Sequence, residues 1–246
     1  MTIWSPSPTD LPPLEQTVHV WAVRLDDASV DLDRGRDLLS PDERQRAARF
    51  KFERDRRRYL VAHVALHAIL SRYLQFASAT LCFDTGTNGK PKLPSEHAPS
   101  GVEFNLSHSN EMALLAVTHG REVGVDVEYD KENFEFQEVA ERFFTPREVA
   151  AMRSLPAHLQ RPAFFKCWTS KEAFLKAKGT GLSGKLDEVA ISLTTEQRVQ
   201  INASVLGWSL AELTPGDGYE GALAIQGALA PIKCYQWESQ EVSKRR

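Results

Sequence analysis

Apolar residues recur along the chain at the spacings of helices and strands. One stripe, at i, i+3, i+4, i+7 and i+8, consists of Val61, Val64, Ala65, Ala68 and Ile69. This spacing is typical of an amphipathic helix, and we predict one from Asp55 to Tyr73. Alternating or continuous apolar runs predict strands near residues 18–25, 102–106, 113–118 and 122–129. Strands and helices without regular βαβ repetition predict an α+β fold.

Two helix starts share one pattern. Ser40-Pro41-Asp42-Glu43 and Thr145-Pro146-Arg147-Glu148 each place a capping hydroxyl before a proline, with a glutamate three residues after the hydroxyl. This combination predicts a capping box at each site. The recurrence indicates two related halves, although such helix starts are common enough that a chance recurrence stays open.

Composition narrows the class of protein. The chain has 246 residues, 42% hydrophobic and 26% charged, with a formal net charge of -3. These values are ordinary for a globular protein and provide no overall attraction to nucleic acid or to an anionic membrane. The three cysteines form no CxxC pair, which argues against disulfides and structural zinc. We expect a cytoplasmic protein without nucleic-acid or membrane partners.

The N-terminal segment has the composition of a poorly ordered stretch of chain. Residues 1–16 contain four prolines among polar residues, a composition typical of poorly ordered segments. We therefore predict a flexible lead-in over 1–16, with the fold beginning near Thr17.

The segment Gly124-Val125-Asp126-Val127-Glu128 is a candidate metal site. Strand alternation puts Asp126 and Glu128 on one face and the valines on the other. Two adjacent carboxylates repel each other unless a cation compensates, and hard oxygen ligands suit Mg²⁺. The alternative is the solvated outer face of an edge strand.

A later helix carries a second candidate group. Trp168, Glu172 and Lys176 are successive i+4 neighbours and share one helix face, before a turn at Gly179-Thr180-Gly181. A carboxylate therefore lies between an aromatic ring and an ammonium group. The alternative is an ordinary surface ion pair beside a core tryptophan.

Basic residues concentrate between positions 44 and 58. Several lie near the start of the predicted second helix, where the helix dipole is already positive and favours an anion such as phosphate. They are Arg44, Arg46, Arg49, Lys51, Arg54, Arg56, Arg57 and Arg58. The alternative is a solvated basic face. His63 and His67, an i, i+4 pair on the same helix, are interpreted as packing or surface residues rather than metal ligands.

Five motifs occur in a specific order: GKPKL, FNLSHS, GVDVE, RFFTPRE and WTSKEAFLKAKGTGL. Together, from about Ser40 to Leu182, the chain resembles 4'-phosphopantetheinyl transferases of the surfactin-synthetase-activating type. The resemblance implies a pseudo-dimer of two similar α/β halves, here 17–121 and 122–246, with coenzyme A and Mg²⁺ in the cleft between them. One chain would then suffice, so we expect a monomer.

The resemblance also implies roles for individual residues. Asp126, Glu128 and Glu172 would surround Mg²⁺, and Lys176 would contact the pyrophosphate. The implied coenzyme A phosphate contacts are Lys90 with its neighbour Pro91, Ser107 and His108, with Arg46, Arg57 and Arg58 at the 3'-phosphate. Some family members have a lysine where this chain has Glu43, so the grip on the 3'-phosphate would rely on arginines.

The implied reaction is attack of a carrier-protein serine hydroxyl on the β-phosphorus of coenzyme A, with release of adenosine 3',5'-bisphosphate. Glu148 and Glu172 are the candidate bases for the serine proton. We favour Glu148, because Glu172 is expected to be a metal ligand. Two other functions stay open: a coenzyme A or nucleotide-binding protein that has lost transfer, and a Mg²⁺-dependent phosphohydrolase.

Overall fold

The computed structural model describes residues 2–74, 81–85, 90–94, 100–131, 134–181, 186, 189–195 and 199–239. The helices are α1 (Leu32–Gly35), α2 (Pro41–Ala48), α3 (Glu53–Leu74), α4 (Phe136–Phe143), α5 (Pro146–Arg153) and α6 (Ala157–Lys178), and Arg36–Leu38 form a 3-10 turn. The strands are β1 (Trp4–Pro6), β2 (Val18–Arg24), β3 (Asp84–Thr85), β4 (Pro91–Lys92), β5 (Val102–Ser109), β6 (Met112–His119), β7 (Val123–Tyr129), β8 (Ala190–Thr195), β9 (Val199–Ser204), β10 (Trp208–Leu213), β11 (Tyr219–Gln226) and β12 (Ile232–Gln236).

The predicted α+β class is confirmed. Sheets and helices pack together, and the predicted strands near 18–25, 102–106, 113–118 and 122–129 correspond to β2, β5, β6 and β7. The dipeptide Asn88-Gly89, whose sequence indicates a turn, lies outside the described residues. Within the part of the chain that the structure describes, no helix is long and apolar enough to cross a membrane.

The larger sheet has five strands in the order β1-β12-β2-β6-β5. β2 and β6, and β5 and β6, pair antiparallel, whereas β12 lies parallel to β2 and β1 parallel to β12. Helix α3 buries its predicted stripe in the same core as Trp21 and Leu115 of this sheet. It extends slightly beyond the predicted Asp55–Tyr73 at both ends.

The structure corrects the prediction of a lead-in outside the fold over residues 1–16. Trp4–Pro6 form β1 at the edge of the sheet, a place that tolerates proline. The indole nitrogen of Trp4 donates to the carbonyl of Thr214 at 2.7 Å, and Arg72 of α3 donates to the hydroxyl of Ser7 at 2.8 Å. Segments from both ends of the chain therefore complete the sheet that β2, β5 and β6 begin.

The second sheet is antiparallel, in the order β10-β11-β7. Helix α6 packs across β7 and β11 over a core rich in aromatic residues, which includes Phe144, Phe164, Phe165 and Phe174. The helix ends at Gly179, whose left-handed φ of 67° fits the predicted turn. This packing fixes the faces of β7 and α6 that carry the candidate carboxylates.

Helices α2 and α5 begin in the same way. The hydroxyls of Ser40 and Thr145 accept from the backbone N–H of Glu43 and Glu148, whose carboxylates in turn accept from the capping residues' N–H groups. Both predicted capping boxes are therefore confirmed. Each of these helices has 8 residues and is followed by a helix of 22 residues, α3 or α6.

Polar side chains of β5 connect the two sheets. Asn105 accepts from the N–H of Val125 at 2.9 Å, and the hydroxyl of Ser109 accepts from the N–H of Tyr129 at 3.2 Å. Strand alternation puts Asn105, Ser107 and Ser109 on one face of β5. These side chains therefore hold β7, a strand of the other sheet, in a defined register beside β5.

Gly124 allows α6 to lie close to β7. A Cβ atom at this position would lie 2.1 Å from the carbonyl oxygen of Ala173 and 2.3 Å from the nitrogen of Ala177. Both atoms belong to the backbone, so the helix would have to move. We expect Gly124→Ala to lower the free energy of unfolding by about 3 kcal/mol, measured by urea denaturation.

Gly216→Ala is the matched control, because a Cβ there meets only the end of the Met112 side chain, at 3.8 Å. The control should stay within about 0.5 kcal/mol of the parent protein. Equal stability of the two variants would contradict the close packing of α6 on β7.

Candidate active site

Asp126 lies at the centre of a polar group built by three elements. Asp126 lies on β7 and is only 2% exposed. Its Oδ1 accepts from the hydroxyl of Ser107 at 2.9 Å and from the Nζ of Lys176 at 2.6 Å. The Lys176 ammonium also donates to the Ser107 hydroxyl at 2.6 Å. The structure therefore brings together three residues that the resemblance assigns to one site, from β5, β7 and α6.

Glu128 and Glu172 add two more carboxylates beside Asp126. Glu128 accepts from the hydroxyl of Ser109 at 2.7 Å. Burial and then the negative charge of Asp126 raise the pKa of Glu128. The same two causes raise the pKa of Glu172 to about 7, although Lys176 acts in the opposite direction. These mutual effects show that the three carboxylates are close enough to repel one another.

Two carboxylate oxygens in this group lack hydrogen-bond partners. Asp126 Oδ2 and Glu172 Oε1 are both buried, and neither is paired within the described residues. Buried, unpaired oxygens of this kind are costly unless a cation compensates them. Oxygen donors alone, without histidine or cysteine, suit Mg²⁺. The donor set therefore fits a divalent cation.

The three carboxylates do not form a ready-made metal cage. Over the described ranges, no group of three or more His, Cys, Asp or Glu side chains is arranged so that it could hold a metal ion as it stands. Lys176 engages one oxygen of Asp126 instead. This ammonium is the positive charge that the structure itself supplies to the carboxylate group.

His108 lies at the edge of this group and is exposed. Partial burial of the imidazole, followed by the positive charges of Lys176, His63 and Arg46, lowers its pKa. Four groups that are cationic or can become so therefore converge from α2, α3, β5 and α6. Arg46 and His63 both act electrostatically on His108. The phosphate contacts that the resemblance implies for Arg46 and His108 stay predictions, and the sequence pattern predicts only a packing or surface role for His63.

Lys90 connects the two halves of the chain. Its ammonium donates to the carbonyl of Val123 at 3.1 Å and to that of Ala177, at the end of α6, at 3.0 Å. Burial lowers its pKa. Pro91, the next residue, is half-buried in β4. Lys90 thus holds β7 and α6 in place, so the phosphate contact expected of it stays a prediction.

Arg57 and Arg58 are committed to other parts of the protein. Arg57 donates to the carbonyl of Asp27 at 2.8 Å. Arg58, with its side chain 15% exposed, forms an ion pair with Glu111 at 2.9 Å and donates to Asn110 at 3.1 Å. These contacts tie α3 to neighbouring turns. The expected role of both arginines at the 3'-phosphate is therefore not supported by their contacts, whereas Arg46 is exposed.

Glu148 is held by structural contacts, contrary to the preference for it as the base. One oxygen accepts from the N–H of Thr145 at 2.9 Å. The other accepts from the ammonium of Lys171 at 2.9 Å and from the N–H of Ile191 at 3.1 Å. Glu148 and Lys171 are both buried. A carboxylate with both oxygens engaged in this way caps α5 and pairs with the charge of Lys171, so the base role expected of Glu148 is not supported by its contacts.

Asn105 and Ser109 position β7, a role that was not predicted from the sequence. Both lie in the FNLSHS motif, where every second residue is polar. That alternation is the signal that could have identified a polar face directed at another strand. It could not indicate that the neighbour is β7, because β5 and β7 belong to different sheets.

Residues 122–224 match the family model of the 4'-phosphopantetheinyl transferase superfamily. Residues 28–120 match a model described as the N-terminal part of a 4'-phosphopantetheinyl transferase. With the relatives below, these matches identify the class: the chain belongs to the 4'-phosphopantetheinyl transferase superfamily, as the sequence motifs predict.

Three curated relatives are similar over most of the chain. The chain is 41% identical to the 4'-phosphopantetheinyl transferase HetI of Nostoc sp. over 224 residues. This aligned region covers 91% of this chain and 94% of HetI. It is 34% identical to the 4'-phosphopantetheinyl transferase psf-1 of Bacillus pumilus, over 70% of this chain and 72% of the relative. It is 31% identical to the 4'-phosphopantetheinyl transferase Sfp of Bacillus subtilis, over 67% of this chain and 70% of Sfp.

The contacts of Glu148 predict a loss of stability rather than of chemistry. Glu148→Gln leaves the ammonium of Lys171 buried without a charged partner, so we expect the free energy of unfolding to fall by about 3 kcal/mol. Turnover per folded molecule should stay within about twofold of the parent, a shift of under 1 kcal/mol in the activation barrier. Urea denaturation and steady-state kinetics measure the two quantities.

The control is the double variant Glu148→Gln, Lys171→Met, which removes the buried charge and should recover part of the stability. If Glu148→Gln instead kept its stability and lost turnover by orders of magnitude, Glu148 would be the base after all.

Proposed function

We propose that this protein transfers the 4'-phosphopantetheine group of coenzyme A to a serine hydroxyl of an apo acyl or peptidyl carrier protein, with release of adenosine 3',5'-bisphosphate. The observation that carries the proposal is the crowding of Asp126, Glu128 and Glu172 beside Lys176. A divalent cation would offset the negative charge of the three carboxylates. A polyanionic substrate would offset the positive charge of Lys176 and of the cation. Membership of the superfamily supports the same reaction.

Asp126, Glu128 and Glu172 are the proposed ligands of Mg²⁺. The support is their mutual repulsion and the two unpaired buried oxygens. When bound, the ion would neutralise charge that develops on the pyrophosphate during transfer. Lys176, whose ammonium already lies within this group, is the proposed contact to the pyrophosphate. The proposed contacts to the other phosphate oxygens of coenzyme A are Lys90 with its neighbour Pro91, Ser107 and His108.

Glu172 is the proposed acceptor of the serine proton. In the absence of a cation, burial and then the charge of Asp126 raise its pKa to about 7, and a bound Mg²⁺ would lower that pKa. Both oxygens of Glu148 are engaged, whereas Glu172 Oε1 has no hydrogen-bond partner among the described residues and would accept the proton whenever the cation is held by the other carboxylate oxygens. Glu172 thus combines a position among the metal ligands with the role of base.

A duplicated architecture with the active site in the cleft between the halves is part of the proposal. Each half contains a capped helix of 8 residues followed by one of 22 residues. The matches to the two family models also divide the chain near residue 121. Because β5 and β7 of one chain both contribute to the site, we propose that the protein acts as a monomer.

The intact mass of a carrier protein tests the proposed function. Incubation of an apo carrier with this protein, coenzyme A and Mg²⁺ should add the phosphopantetheine group, a gain of about 340 Da. Asp126→Ala should abolish the gain, since it removes the central carboxylate. Asp33→Ala is the control, because this side chain is 94% exposed in a surface ion pair with Arg36.

Three outcomes separate the candidate functions. Binding of coenzyme A without any mass gain, across acyl and peptidyl carriers, would identify a protein that has lost transfer. Release of adenosine 3',5'-bisphosphate without a modified carrier would identify a phosphohydrolase. A full mass gain by Asp126→Ala would show that the carboxylate group is not the site of transfer.

A further inference from the structure

The buried carboxylate of Glu43 is paired with two histidines of α3. Its Oε1 accepts from His63 Nδ1 at 2.7 Å, and its Oε2 accepts from His67 Nε2 at 2.9 Å. Burial disfavours the ionised form of Glu43, but the hydrogen bonds and charge of the two imidazoles outweigh it and lower its pKa. The side chain that replaces a lysine of other family members is therefore a carboxylate hydrogen-bonded to two imidazoles.

The corresponding carboxylate of the other half has a different partner. Glu148, at the same position of the α5 capping box, is paired with the ammonium of Lys171 on the following helix. Lys171 is fully buried, and its ammonium also donates to the carbonyls of Leu186 and Val189, each at 2.8 Å. In the first half, histidines replace this lysine. A histidine can be neutral or charged, and it has a second ring nitrogen that can contact something else.

His63 and His67 differ in their access to solvent. The side chain of His67 is 0% exposed, whereas that of His63 is 16% exposed. Glu43 engages His63 through Nδ1, which fixes the ring and leaves Nε2 as the nitrogen that Glu43 does not use. A carboxylate on one nitrogen supports a positive charge on the ring and orients the opposite N–H.

The surroundings of His63 are cationic. Its ring lies against Tyr59, with ring centroids 4.1 Å apart, and the guanidinium of Arg46 covers the same tyrosine at 5.7 Å. The positive charges of His63 and Arg46 both act on His108. Arg46, His63 and His108 therefore form a cluster at the edge of the candidate active site, which we call the histidine–arginine cluster.

We propose that His63, oriented by its hydrogen bond to Glu43, binds the 3'-phosphate of coenzyme A through Nε2, together with the other members of the histidine–arginine cluster. This inference rests on the proposed function and names a substrate-binding residue that none of the five motifs contains. A phosphate monoester carries nearly two negative charges at neutral pH and accepts strong hydrogen bonds from cationic donors.

The position of the cluster selects the 3'-phosphate over the pyrophosphate. Lys176 and the three carboxylates mark the reacting end of the substrate, and they belong to β7 and α6. Arg46 and His63 belong to α2 and α3, which supply none of those groups. Arg57 and Arg58, the other candidates on α3, are engaged by Asp27, Asn110 and Glu111.

The test compares the dissociation constants of coenzyme A and of 3'-dephospho-coenzyme A, measured by calorimetry with Mg²⁺ and without a carrier protein. The parent protein should prefer coenzyme A, and His63→Gln should reduce this preference about tenfold, the size expected for one charge-assisted hydrogen bond. The affinity for the dephosphorylated compound should not change. His63→Lys, which keeps a cation opposite Glu43, should retain most of the preference.

Arg34→Gln is the control for the loss of a cation and should leave the preference unchanged, because the Arg34 side chain is 69% exposed in an ion pair with Asp31. An unchanged preference in both His63→Gln and His63→Lys would overturn the assignment of His63 while leaving the proposed function intact. A parent protein that binds neither compound would overturn both. If His63→Gln does not fold, a His63→Lys protein that has lost the preference also contradicts the inference, since it retains the charge.

Discussion

The ion pair between Lys176 and Asp126 is the interaction on which the site depends. Asp126 is 2% exposed and would be strongly disfavoured as an anion without a partner. The Lys176 ammonium, 2.6 Å away, and the Ser107 hydroxyl stabilise one of its oxygens. The three residues come from α6, β7 and β5, so the contact is satisfied only when both sheets and the helix are correctly placed. The remaining carboxylates are then held near one another at a cost that a divalent cation can offset.

The supporting contacts are distributed over both halves of the chain. Asn105 and Ser109 fix β7 beside β5 by accepting from its backbone N–H groups. Gly124 permits the close approach of α6, and Lys90 binds carbonyl groups of β7 and α6. The capped helices repeat one design with different charges, since Glu148 has a lysine partner and Glu43 has two histidines. We propose that this difference makes the first half a phosphate-binding half.

Local sequence patterns predicted the elements well, because capping boxes and apolar stripes depend on neighbours within a few residues. Both helix starts, the α3 stripe and the pairing of β5 with β6 follow from such short-range physics. Helix α6 begins at Ala157, well before the predicted helix face of Trp168, Glu172 and Lys176, and contains Pro162, because packing within the aromatic core can override the local preference. β1 was missed because its pairing partner, β12, is more than two hundred residues away along the chain.

The sequence predicted the contacts within the site less well than it predicted the helices and strands, since a motif identifies residues but not the residues that they contact. The motifs correctly grouped Asp126, Ser107 and Lys176. They could not show that Arg58 is paired with Glu111, that Glu148 is engaged by Lys171, or that Glu43 supports His63. Each of these contacts joins residues far apart in sequence, and each changes a role that charge alone suggested. Partner identity is therefore the information that only the folded chain supplies.

Binding of Mn²⁺, a spectroscopic substitute for Mg²⁺, tests whether Asp126 is part of a divalent-cation site. Electron paramagnetic resonance counts the bound ions in the presence of coenzyme A, with competition by Mg²⁺. The account predicts one Mg²⁺-competable site in the parent protein and its loss in Asp126→Asn, which keeps the size of the side chain and removes its charge. Equal binding of Mn²⁺ by the two proteins would contradict the account.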